Sequence, residues 1–231
     1  MVYDSNIWKK ELFKIAVSLK KCTQWKRIRM GQESNVEENV FLSAYIIRKL
    51  FEAKKLSFYL TNASINIITY KNNKHVDLMN WHRLDELYAL EKPENSTITI
   101  KNLLNVIIHS FVFFPCRYEM TAKLDGFFVS SDRTKDKHII YVNIQNFIGL
   151  LEIIASDDKV VCCIKRNKKL DFEEYDPCTN RDHEEIEIPE LLKNQNITEK
   201  EKEFFIKQRR ELIDGRKANC SKYGIIAKTF L

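Results

Sequence analysis

The chain has 231 residues, 44% of them hydrophobic and 30% charged, with only five Gly and four Pro, which excludes a disordered or low-complexity protein and leaves enough chain for a sizeable core. Its net charge of +6 is unevenly placed: residues 1–60 carry 12 Lys and Arg against 6 Asp and Glu, and the remainder is balanced. That asymmetry points to a polyanion-facing surface at the N-terminal end.

Ser5 to about Lys21 reads as a first helix, because Ile7, Trp8, Leu12, Phe13, Ile15, Ala16 and Leu19 recur at helical spacing and Ser5 or Asn6 can cap it. The connector TQWKRIRMGQESN follows, with Trp25 set among Lys26, Arg27 and Arg29. Ser34 or Asn35, three residues before Glu37 or Glu38, forms a capping box that predicts a second helix running to about Lys55. Ser64–Met79 alternates and breaks at KNNK, the pattern of a hairpin. Trp81, Leu84, Leu87, Tyr88 and Leu90 then predict a helix stopped by Pro93. The run NLLNVIIHSFVFFP, Asn102–Pro115, predicts another helix, ended by Pro115.

Gly126–Ile144 reads as a second hairpin around the polar turn DRTKDK, followed by the short apolar helix FIGLLEIIAS and the late strand KVVCCIKRN. From Asp171 to Glu190 nine acidic residues stand against one Arg, a density that predicts a solvated linker. Thr198 and Glu201 cap a last, thinly apolar helix that Gly215 ends. The expected class is α+β. Its main domain, 1–170, has a helix-rich N-terminal half with two β-hairpins and a late strand. An acidic linker, 171–196, and an appended charged C-terminal helix and tail, 197–231, complete it.

The start, MVYDSNIWKK, lacks the continuous apolar stretch of a secretory signal, and Val106–Phe114 is too short and polar to span a bilayer, so a cytoplasmic place and no membrane contact are expected. The six cysteines lack CxxC spacing, which reads as free thiols in a reducing compartment. Cys178 and His183, with Cys162 or Cys163, form no knuckle, so no metal is expected. The sequence has no glycine-rich phosphate loop and no GxSxG elbow, and no cofactor is expected.

The polar positions of Asn102–Pro115 carry the chemistry. On a helical wheel Leu103, Leu104, Ile107, Ile108 and Phe111 gather on one arc, leaving Asn105 and His109 one turn apart on the other. An imidazole there can move a proton on a ribose or phosphate oxygen, and an amide can orient it. Arg48 falls inside the apolar arc of the second helix, formed by Val40, Phe41, Ala44, Ile47 and Phe51, and so needs a partner, Glu52 being the nearest.

Arg48 with the helix-borne Asn-x-x-x-His of Asn105 and His109 resembles the HEPN superfamily of helical RNases and nucleic-acid-associated proteins, many of them from toxin and anti-phage systems. That family carries an Arg, a polar residue and a His on one late helix, with a composite site across a dimer. Here Leu104 stands where the Arg belongs, and Arg48 or Lys101 would supply the cation.

The resemblance implies a metal-independent endoribonuclease, with His109, Asn105 and Arg48 as its catalytic group and a homodimer as its assembly. The composition adds a phosphate-holding surface of Lys20, Lys21, Lys26, Arg27 and Arg29, with Trp25 available to stack on a base. RNA is the favoured partner. The alternative is a non-catalytic accessory subunit that binds a protein through the acidic segment and the C-terminal helix.

Overall fold

Two antiparallel helices open the chain. The computed structural model describes residues 4–27, 29–118, 121–157, 163–166, 172–175 and 222–227. Helix α1 (Ser5–Cys22) is capped by Asp4, whose carboxylate accepts from the Asn6 amide at 2.8 Å, one residue before the expected caps. Helix α2 (Gln32–Glu52) begins three residues ahead of Asn35, so the Ser34/Asn35 capping box is not its start. Gly31 makes the entry turn at φ 80°, a left-handed conformation that suits glycine. Gln32 then ties the connector to the first turn, its side chain accepting from the Arg29 amide at 2.9 Å and donating to the Arg27 carbonyl at 3.0 Å.

A one-turn helix, α3 (Phe58–Thr61), leads into β1 (Ala63–Lys71), which is no arm of a local hairpin. Its partners come from far along the chain. Strand β2 (Glu94–Thr99) pairs along one edge of β1, and β5 (His138–Asn143) pairs along the other from Ile68 to Lys71. Between β1 and β2 the helix expected around Trp81–Leu90 reduces to α4 (Leu84–Leu87), because Tyr88 turns to extended backbone and bridges Asn72. The Tyr88 hydroxyl donates to the Lys135 carbonyl at 2.9 Å, which fixes the buried ring.

Asn102–Pro115 is not one helix. Helix α5 (Ile100–Ile108) is capped by Thr99 and ends at His109, and Ser110 opens β3 (Ser110–Arg117) with Pro115 inside it. Phe111–Phe114 are β-favouring side chains, and proline is tolerated there because β3 is an edge strand. Strands β4 (Leu124–Ser131) and β5 form the expected second hairpin, and Asn143 caps α6 (Ile144–Ala155).

The main sheet is antiparallel in the order β2-β1-β5-β4-β3. Among the described residues strand β6 (Cys163–Arg166) pairs with β7 (Phe172–Tyr175) alone, so the segment expected as solvated linker contains a strand. The helix expected after Thr198 lies outside the described residues. From the span assigned to the tail, β8 (Ile225–Ala227) returns to the main sheet and pairs with Ala63–Ile65 of β1. It occupies the edge that β5 leaves when the chain turns into α6.

The protein is therefore an α+β fold with a core on each face of the sheet. On the helix side Leu12 and Leu19 of α1, Ile47 of α2, Leu103 of α5 and Phe147 of α6 pack against Ile65, Phe127 and Val142. Side chains of the opposite strand parity face the other way, where Val112 and Ile139 meet Val76, Leu84, Leu87 and Tyr88 from the 72–92 segment.

Candidate functional site

The buried face of α2, made by Val36, Val40, Ala44, Ile47 and Leu50, sets Arg48 at the rim of the core, half-buried and facing α5. Its Nη1 donates to Asn105 Oδ1 at 2.5 Å and its Nε to Glu52 Oε1 at 3.0 Å. Lys49 Nζ donates to the other Glu52 oxygen at 2.8 Å. The hydrogen bonds from Lys49 and Arg48 hold the Glu52 carboxyl below its ordinary value, and Glu52 in turn raises Lys49. Glu52 thus offsets one of the two charges that Arg48 and Lys49 bring, within one turn, and Arg48 also reaches across to α5.

Asn105 is half-buried on α5, and its backbone carbonyl accepts from the His109 amide at 3.0 Å, the bond that closes the last turn. His109 is the exposed C-cap, and its ring makes no hydrogen bond among the described residues. The Asn105 amide oxygen is engaged by Arg48, so the amide orients the guanidinium and not the imidazole. Leu104 is 1% exposed and belongs to the helix-side core. A cation at that position would point into the core, whereas Arg48 arrives from the neighbouring helix at the solvent edge. Lys101 is exposed on the first turn of α5.

The basic connector lies elsewhere. Sixteen residues of α2 separate Gln32 from Arg48, about 24 Å at ~1.5 Å per residue. Lys21, Lys26, Arg27 and Arg29 are exposed, and Lys20 pairs with Glu152 of α6 at 3.3 Å. Trp25 is half-buried and packs against the helix-side core, which leaves it a smaller free face than an exposed stacking ring. Arg117, at the end of β3, joins this cluster: it donates to Glu33 Oε1 at 3.0 Å and to Gln32 Oε1 at 3.4 Å. Nothing local in the sequence points to Arg117, since only the course of β3 beside α2 delivers it.

Burial pushes the Cys22 thiol up to about 11 and also raises Cys116, more than the nearby Asp125 carboxylate does. Among the described residues no three His, Cys, Asp or Glu side chains group to hold a metal, and no helix is long and apolar enough to cross a membrane. Cys162, Cys178 and His183 lie outside the described residues. The chain matches no protein-family model, no curated protein and no solved structure.

Proposed function

We propose that the chain is an RNA-binding protein whose α2–α5 edge carries metal-independent cleavage chemistry. The observation that supports it is the Arg48 guanidinium 2.5 Å from the Asn105 amide at a solvent edge, one helical turn from an exposed histidine. That arrangement provides from α2 the cation which the HEPN-like pattern lacks at Leu104. In this reading Asn105 holds Arg48 toward a phosphate, and His109 takes the proton from the ribose 2′-hydroxyl. The 2′-oxygen then attacks phosphorus, the bond to the 5′-oxygen breaks, and a 2′,3′-cyclic phosphate forms. A second His109, from the other copy of a dimeric site such as the family resemblance implies, returns a proton to the leaving oxygen.

The test is anisotropy and cleavage with a labelled single-stranded RNA of about twenty nucleotides, long enough at ~3.4 Å per nucleotide to span from the connector to Arg48. Affinity is expected to fall steeply with salt. His109→Ala is expected to slow formation of the cyclic phosphate about 10²–10⁴-fold while sparing binding, and Arg48→Ala to weaken both. No affinity at low salt would refute the RNA reading, and undiminished cleavage by His109→Ala would refute the chemistry.

Two observations favour a second reading. Arg48 is already paired with Glu52, which it shares with Lys49, and Phe13, Val17, Leu42 and Tyr45 are exposed on α1 and α2. A non-catalytic accessory subunit that binds a protein partner accounts for both, and it is the reading left standing if RNA does not bind.

A further inference from the structure

Where α1, α2, α5 and α6 stop covering the helix-side face of the sheet, β1, β2 and β5 leave a groove of about 400 Å³, within the range of small-molecule sites. Ile67, Ile98 and Ile140 form its apolar floor. Thr69 and Ser96 add hydroxyls on the same face, because Ser96 pairs with Ile67 and Thr69 with Ile140.

One end of the groove is cationic. Lys71 stands directly across from His138 in the β1–β5 register, and Lys137 precedes that histidine. Burial first, and then the Lys137 charge, pulls the imidazole below its ordinary value. Neither Lys71 nor Lys137 has a carboxylate partner among the described residues, and unlike the other unpaired lysines the two share one concavity with a histidine. Glu94, the acid in the lining, lies on β2 beyond Thr69, on the far side of β1 from His138. Like charges gathered in a concavity repel one another, and a bound anion relieves that repulsion.

We propose that this groove binds a nucleoside monophosphate. Lys71, Lys137 and the His138 N–H hold the phosphate, Thr69 and Ser96 bond the sugar hydroxyls, and the flat base lies on the three isoleucines. Charge matching selects the monophosphate: the two ammonium groups match a single phosphate dianion, Glu94 lies across β1 from them, and further phosphates find no added cation. The groove is separate from the Arg48 edge, so this binding stands or falls independently of RNA cleavage.

The test is calorimetry with adenosine 5′-monophosphate, adenosine and inorganic phosphate on the full chain, with amide NMR spectra reporting the fold of each variant. The nucleotide is expected to bind at least about tenfold more tightly than either fragment, and Lys71→Gln or Lys137→Gln to weaken it about fivefold or more. Arg48→Ala is expected to leave it unchanged. The proposal is overturned if the nucleotide gives no heat and no shifts at millimolar concentration, or if a folded Lys71→Gln/Lys137→Gln variant binds it as well as the parent. It is equally overturned if inorganic phosphate binds as tightly as the nucleotide.

Discussion

Gly149→Ala is expected to destabilise the protein, although alanine is the better helix former. Gly149 lies on α6 under the ring of Tyr223, and a Cβ there would come 2.1 Å from Tyr223 Cγ and 2.2 Å from Cδ1. The ring must move, and it carries β8 with it. Gly224 accepts from the Asn66 amide at 3.0 Å, and Ile225, 2% exposed, pairs with Ile65. Exposing an isoleucine costs about 1.5–3 kcal/mol and each lost strand bond about 0.5–1.5, against a helix gain of about 1, for a net loss of about 2–4 kcal/mol. Urea unfolding measures the loss, and hydrogen exchange at the Asn66 amide reports detachment of β8. Tyr223→Ala clears the space, so the double variant is expected to be no less stable than Tyr223→Ala alone. If Gly149→Ala is as stable as the parent and the Asn66 amide stays protected, β8 does not depend on this contact.

Lys9, 6% exposed, donates from Nζ to the Asp157 carbonyl, and the Asp157 carboxylate accepts from the Ser57 amide at 2.7 Å, joining α1, α3 and the end of α6. Lys9→Met keeps the stem and removes that donor, for an expected loss of about 1–3 kcal/mol in urea unfolding; an unchanged midpoint would show the bond to be replaceable. The Cys22 thiol, raised by burial from 9.0 to about 11, stays protonated in the folded chain while the unfolded chain ionises. The folded state therefore binds more protons between about pH 9 and 11, and stability falls as pH rises through that window. Cys22→Ala is expected to flatten the pH 9–11 slope, leaving the part due to Cys116, Tyr70, Tyr88 and Tyr141, all also raised chiefly by burial. Identical slopes in parent and variant would assign all of it to Cys116 and the tyrosines.

Helices α1 and α6 and the β4–β5 hairpin are legible in the sequence because their signals are local: an apolar period and a polar turn. Asn102–Pro115 misleads because a continuous apolar run has no period that separates helix from strand, and both occur in it. The usable signal is the change at His109 from Leu and Ile to Phe-Val-Phe-Phe, with Pro115 compatible with an edge strand. Ser64–Met79 misleads differently. Its alternation is real, but period 2 carries no information about which strand pairs with β1, and the partners come from Glu94, His138 and Ile225 onward. The need of Arg48 for a partner, and Glu52 as that partner, follow from the helical wheel, but the Arg48–Asn105 contact depends on how α2 packs on α5, and the wheel set Asn105 to the imidazole instead. Arg117 and the Lys71–His138 pairing were not accessible either, since both depend on long-range register.

Helix α2 explains why the two polar sites remain apart. Its first turn anchors the basic connector through Gln32, its last turns carry Arg48 and Glu52, and β3 runs beside it in the opposite sense. Two contacts fix that course, Phe41 with Phe113 at 5.2 Å between ring centroids and Glu33 with Arg117, and Arg48 with Asn105 ties the other end of α2 to α5. Because the helix is rigid over this length, no rotation of side chains closes the gap of about 24 Å between connector and Arg48. A compact anion can occupy one site only. A ligand that draws on both must be extended and repeat its negative charge along its length, which a single-stranded polynucleotide does and an isolated phosphate ester does not.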